Sequence, residues 1–189
     1  MATDDQTVQA AKAEGKPVSG EENEMREPML GKVVVNIGVG EAGEKVSRAS
    51  SLLESLTGQT PVRTAAKRTN RDFNVRKGEM IGCKVTLRNG KAREFLSKAF
   101  ESVDSSVQSR WFDEEGNFSF GIEEHINLPG VRYDPKIGIY GMDVSVTIER
   151  KGYRIKRRKV RKKKIPRHHR ISKAEAMDFI KNEFDVRVA

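Results

Sequence analysis

Met142, Val144, Val146 and Ile148 alternate with Asp143, Ser145, Thr147 and Glu149, and this pattern constrains the chain more than any other. Side chains on a strand leave opposite faces in turn, so such a segment needs one dry side and one wet side. Gly141–Arg150 is therefore predicted as a half-buried strand. Met80 to Leu87 repeats the pattern, with Ile81, Cys83, Val85 and Leu87 on one side, and Asn89-Gly90 is read as closing it. Two strands of this kind favour an antiparallel sheet with one solvated face.

The remaining segments fit around that sheet. Lys32-Val33-Val34-Val35-Asn36-Ile37 reads as a buried strand, Pro61–Ala66 as a short one and Asn117–Ile122 as another. Glu44 to about Leu56 is predicted as a helix, because Val46, Ala49, Leu52, Leu53 and Leu56 share one face and Gly58 can stop it. Lys91 to about Val103 forms a second, with Ala92, Phe95, Leu96, Ala99 and Phe100 as its stripe. A third runs from Ser172 to about Asn182, where Ser172 and Glu175 have capping-box spacing. The expected fold class is α+β: a largely antiparallel sheet with helices packed on one face, plus a basic C-terminal extension and helix. The other sheet face is left for a ligand. Three regions follow: an acidic, disordered tail at 1–24, an α+β core at 25–151, and a basic arm with its helix at 152–189.

Charge separates these regions. The net charge is +9, yet Lys151–Arg170 holds 12 Lys or Arg and no acid. The other 24 basic residues face 27 acidic ones, so the whole excess lies in one arm. The first 30 residues carry seven acids, including Asp4, Asp5, Glu21, Glu22 and Glu24, without apolar periodicity. Lys156, Arg157, Arg158, Lys159, Arg161 and Lys162–Lys164 repel one another until phosphates neutralise them. Lys163, Arg167, His168, His169 and Arg170 extend the same phosphate-binding surface. A solvated tail or a localisation signal is the alternative for this arm.

A second basic segment runs through Arg63, Lys67, Arg68, Arg71, Arg76 and Lys77, opposed only by Asp72. Asn70, Phe73 and Asn74 are interleaved, and an exposed Phe can stack on a base or ribose. The competing reading is a solvated hairpin with Phe73 turned inward.

Enzymatic readings are weaker. Gly38-Val39-Gly40-Glu41-Ala42-Gly43 matches G-x-G-x-x-G between a strand and a helix. The acidic residue due about 20 positions later is missing, and no series of βα units follows. The glycines are read as a tight turn, with no cofactor. His125 stands beside Glu124, but neighbours on an extended chain point apart. No catalytic or metal site is expected. A single cysteine, Cys83, excludes an intrachain disulfide and a multi-cysteine zinc site, and it reads as a core residue. Neither a membrane span nor a signal peptide is recognised, so the expected compartment is the cytoplasm.

Five blocks arise in order: Lys32–Glu41, Thr57–Val62, Ala66–Arg68, Ile81–Arg88 and Gly116–His125. Together they closely resemble the universal large-subunit ribosomal protein L-five family. With the later portion the resemblance covers about Met25 to Ile148. Tyr133-Asp134-Pro135, Gly138–Val144 and the C-terminal extension resemble its archaeal and eukaryotic branch. The resemblance implies a ribosomal protein that binds 5S rRNA and helps attach it in the central protuberance. It further implies contacts with large-subunit rRNA, with P-site tRNA, and with neighbouring proteins including a small-subunit head protein at an intersubunit bridge. By motif, the 5S rRNA face would include Asn36, Gln59, Thr60, Thr86 and Arg88, with Lys32 and Arg63 nearby. The tRNA-facing loop would be Lys67 to Gly78. A nucleotide-dependent enzyme and a free-standing RNA chaperone are the two alternatives weighed against it.

Overall fold

The computed structural model describes residues 23–188; the predicted acidic tail lies almost wholly outside them. Five strands form one antiparallel sheet: β1 (Pro28–Gly38), β2 (Val62–Ala65), β3 (Met80–Leu87), β5 (Phe118–Ile122) and β6 (Met142–Arg150). Their spatial order is β2-β3-β1-β6-β5. The predicted class is the observed one.

Helices α1 (Glu44–Thr57), α2 (Asn89–Glu101) and α4 (Lys173–Phe184) cover one face. Val33, Val35 and Ile37 of β1, Val85 and Leu87 of β3, and Val144 and Val146 of β6 all turn to that side and are buried. Leu53 of α1, Leu96 of α2 and Ile180 of α4 complete the core without exposure, each stabilising by roughly 2 kcal/mol. Phe100, Phe118, Phe120 and Phe184 form an aromatic layer where α2, β5 and α4 meet.

Local chemistry sets the helix ends. Gly58 has φ 59° and its N–H reaches the Glu54 carbonyl at 2.8 Å, closing α1 as the sequence predicts. Ser172 and Glu175 form the predicted capping box of α4. Asn89-Gly90 follows the end of β3, as the sequence predicts. It also opens α2, two residues ahead of the predicted start at Lys91, with Asn89 at φ 54°. The stretch after α2 also holds a short strand, β4 (Ser106–Val107), which pairs in parallel with β7 (Arg187–Val188) beyond α4.

The glycine-rich turn after β1 makes no cofactor cradle. Both neighbours of β1 run antiparallel to it, whereas a dinucleotide fold needs a parallel βαβ unit. Gly40 and Gly43 have φ 77° and 119°, which is the backbone freedom the tight turn requires. Cys83 is fully buried, and burial pushes its thiol above the ordinary range.

Candidate nucleic-acid interface

The sheet face away from the helices is mostly polar, with Val34 and Val62 among its apolar members. Register brings Val62, Lys84, Asn36, Asp143 and Gly121 into one row across all five strands. A second row holds Thr86, Val34, Ser145 and Ser119. Small side chains dominate, so a nucleic-acid backbone can come close to the strands. Gly82 lets the neighbouring strands approach closely: a Cβ there would lie 2.7 Å from the Ile37 carbonyl and 3.1 Å from the Thr64 hydroxyl.

Lys32, Asn36 and Thr86 share this face, as their alternation with buried Val33, Val35, Val85 and Leu87 requires. Arg88 follows β3 in extended conformation, and its parity directs it to the same side. Gln59 and Thr60 sit in the α1–β2 connection at the edge. The Thr60 hydroxyl donates to Glu54 at 3.4 Å, and Lys91 donates to the Gly58 carbonyl at 3.1 Å. Arg63 is different. It pairs in register with Cys83, so it leaves β2 on the helix side, away from Asn36 and Thr86. Lys84 directly opposes Asn36 and is exposed, yet the sequence reading passes over it. Its parity with Thr86 is the available signal.

The loop between β2 and β3 is a small ordered hairpin. Asn70 and Val75 exchange backbone hydrogen bonds at 2.8 and 3.0 Å. The Asn70 carboxamide accepts from the Asp72 N–H, and Asn74 turns the chain at φ 52°. Val75 is the buried residue of this hairpin, whereas Phe73 is 71% exposed at the tip. The inward alternative for Phe73 is thus set aside. Lys67, Arg68, Arg71, Arg76 and Lys77 belong to the same loop, and none of their side chains forms an ion pair among the described residues.

The basic arm wraps around the end of the sheet. It begins with a helical turn, α3 (Arg154–Arg157), and curls back so that the Lys163 N–H meets the Ile155 carbonyl at 3.3 Å. Ile165 and Ile171 are buried beneath it. The Tyr153 hydroxyl donates to the His169 carbonyl and accepts from the Ile171 N–H, each at 3.2 Å. Phosphates are therefore not the only means of ordering the arm, contrary to the sequence expectation. Carboxylates from elsewhere in the chain neutralise part of it. Arg157 lies 2.6 Å from Glu149, while Lys156 and Arg170 approach Glu115 at 3.8 and 3.5 Å.

These contacts divide the predicted arm residues. Arg158 donates to the Arg161 carbonyl at 2.8 Å, and the His169 ring contacts the Lys151 carbonyl at 3.0 Å, so both have structural partners. Lys159, Arg161, Lys162, Lys163, Lys164, Arg167 and His168 are exposed, with no described carboxylate beside them. His125 is structural too. It is buried, its Nδ1 accepts the Tyr140 N–H at 3.3 Å, and its backbone N–H donates to the Tyr140 carbonyl at 3.0 Å. Burial holds its imidazole below the ordinary histidine range. The described residues contain no cluster of three or more metal-ligating side chains and no helix long and apolar enough to cross a membrane.

Residues 23–76 match the family model described as ribosomal protein L5, and residues 80–179 match the model for the C-terminus of the same ribosomal family. The chain is 56% identical over 167 residues to large ribosomal subunit protein uL5 of Sulfurisphaera tokodaii, covering 88% of this chain and 94% of that protein. It is 50% identical over 166 residues to the protein of the same name from Methanosphaera stadtmanae, covering 88% and 99%. Both matched segments fall on the sheet, the helices and the arm described above, and the chain belongs to the ribosomal protein L5 family, in its archaeal form, a family of structural and not enzymatic proteins.

Proposed function

We propose that this protein is an architectural component of the large ribosomal subunit that binds 5S rRNA through its open sheet face. One observation carries the reading: Asn36, Lys84, Thr86, Ser145 and Ser119 lie together on the sheet face opposite the helices, interrupted by Val34 and Asp143 and backed by the buried core. Short polar side chains at fixed strand positions suit ribose and phosphate oxygens, and Lys84 and Lys32 supply charge without crowding. The relatives' name, large ribosomal subunit protein uL5, supports the place in the large subunit.

Within that role the protein helps hold 5S rRNA in the central protuberance. The β2–β3 hairpin, with Phe73 at its tip, faces P-site tRNA. The arm meets large-subunit rRNA through phosphates, and neighbouring proteins include a small-subunit head protein at an intersubunit bridge. Titration of the purified protein with transcribed 5S rRNA over a series of salt concentrations tests the core of this reading. Saturable binding that discriminates 5S rRNA from an unrelated RNA of equal length is expected. Equal affinity for both RNAs would reduce the protein to a general polyanion binder.

A further inference from the structure

The arm and the open sheet face enclose a cavity of about 790 Å³. Its sheet wall includes Lys32, Thr147, Glu149 and Asn117, and its arm wall includes Lys162, Lys163 and Lys164. Lys32 and Thr147 oppose each other in register, two positions along their strands from Val34 and Ser145. The cavity is thus the continuation of the polar face under the arm.

Its walls are fixed before any ligand arrives. Arg157 on Glu149 ties the arm to the open side of β6. Buried Ile165 and Ile171 and the Tyr153 hydroxyl close the arch behind it. Lys32, Lys162, Lys163 and Lys164 remain without a described carboxylate partner and line the gap from both sides. A gap of this size, within the roughly 300–1,000 Å³ of ligand-enclosing sites, takes a nucleotide-sized group. Cations on opposite walls favour an anion that passes between them.

We infer that the arm is an arch over a phosphodiester track, so that the RNA strand lying on the open sheet face continues beneath Lys162–Lys164. This inference rests on the proposed RNA face and adds that arm and sheet grip one RNA segment. It separates this arrangement from one in which the arm serves a different RNA.

The test uses the full-length protein with transcribed 5S rRNA alone. Buried Cys83 leaves an introduced surface thiol as the reactive one, so a photoreactive group is attached in turn to Ser145→Cys and Lys164→Cys, both exposed positions. Cross-links from the two positions are expected within a few nucleotides of each other. In parallel, Lys162→Gln/Lys163→Gln/Lys164→Gln is expected to lower the slope of log K against log salt by about 2–3. Cross-links from Ser145→Cys to 5S rRNA with none, or distant ones, from Lys164→Cys would overturn the shared track while leaving the sheet reading intact. Cross-links from Lys164→Cys alone would overturn the track as well. Absence of cross-links from both positions would remove the sheet reading and the track together.

Discussion

Glu149 and Arg150 are neighbours on β6 whose side chains leave opposite faces of the sheet, and each holds a different part of the C-terminal extension. Glu149, on the open face, pairs with Arg157 at 2.6 Å. Arg150, on the helix face, pairs with Glu175 at 2.9 Å and donates to the Arg170 carbonyl at 3.3 Å. Two successive residues thereby clasp the extension from both sides of one strand end. Strand alternation is what makes this possible.

Arg150→Ala is expected to destabilise the protein by about 1–2 kcal/mol. That lies below the loss for a wholly buried pair because Glu175 keeps nearly half its surface in water. Urea unfolding measures it, and a change within about 0.3 kcal/mol would mean that the clasp is ornamental.

Glu175 also couples stability to pH. Burial pulls its carboxyl upward, but the Ser172 N–H and the Arg150 charge outweigh this, and the group ends below its ordinary value of 4.5. A carboxyl lowered by folding adds stability that is complete above that value and is lost as pH falls through the folded one. Glu175→Gln should therefore flatten the acid side of the stability curve below about pH 5. An acid limb as steep as the parent's would count against the assignment.

His125 acts at milder pH. Burial lowers its pKa in the folded protein, so the unfolded chain takes up the proton first and stability declines as pH falls below 6.5. His125→Gln should remove the part of the decline that sets in below about pH 7. Thermal midpoints across that range report it, and identical declines in both proteins would speak against a buried neutral imidazole.

The open face predicts a division of labour. Asn36→Ala or Thr86→Ala should weaken 5S rRNA binding by about 1 kcal/mol each, with little change in salt slope, because each removes a neutral hydrogen bond. Lys84→Gln should lower the slope by about 1, as one phosphate contact is lost. Binding isotherms at several salt concentrations separate these effects.

Phe73→Ala should leave stability within about 0.5 kcal/mol, since the ring is exposed. Affinity for 5S rRNA should also stay unchanged, and tRNA retention in the P site should fall. A stability loss above about 2 kcal/mol would instead assign the ring to packing.

Much of this architecture was legible in sequence because period-2 alternation fixes both faces of a strand at once. Val33, Val35, Val85 and Leu87 define the dry side, and Asn36 and Thr86 follow onto the wet side. Lys84 obeyed the same rule but was not among the polar positions that the resemblance singles out. Charge groups Arg63 with the hairpin and the resemblance sets it near Asn36, and only its register with Cys83 reveals that it points away. Strands β4 and β7 are two residues long, too short for any period to appear. The arm's folding was hidden because Glu115 and Glu149, which neutralise it, lie outside the basic run.

The most direct test of the RNA face tethers a hydroxyl-radical source to Ser145→Cys on the open side or to Ser97→Cys on the exposed surface of α2, each in complex with 5S rRNA. Strand cleavage of 5S rRNA from position 145, with little from position 97, is the predicted outcome. Cleavage from position 97 with none from position 145 would place the RNA on the helices and contradict the account.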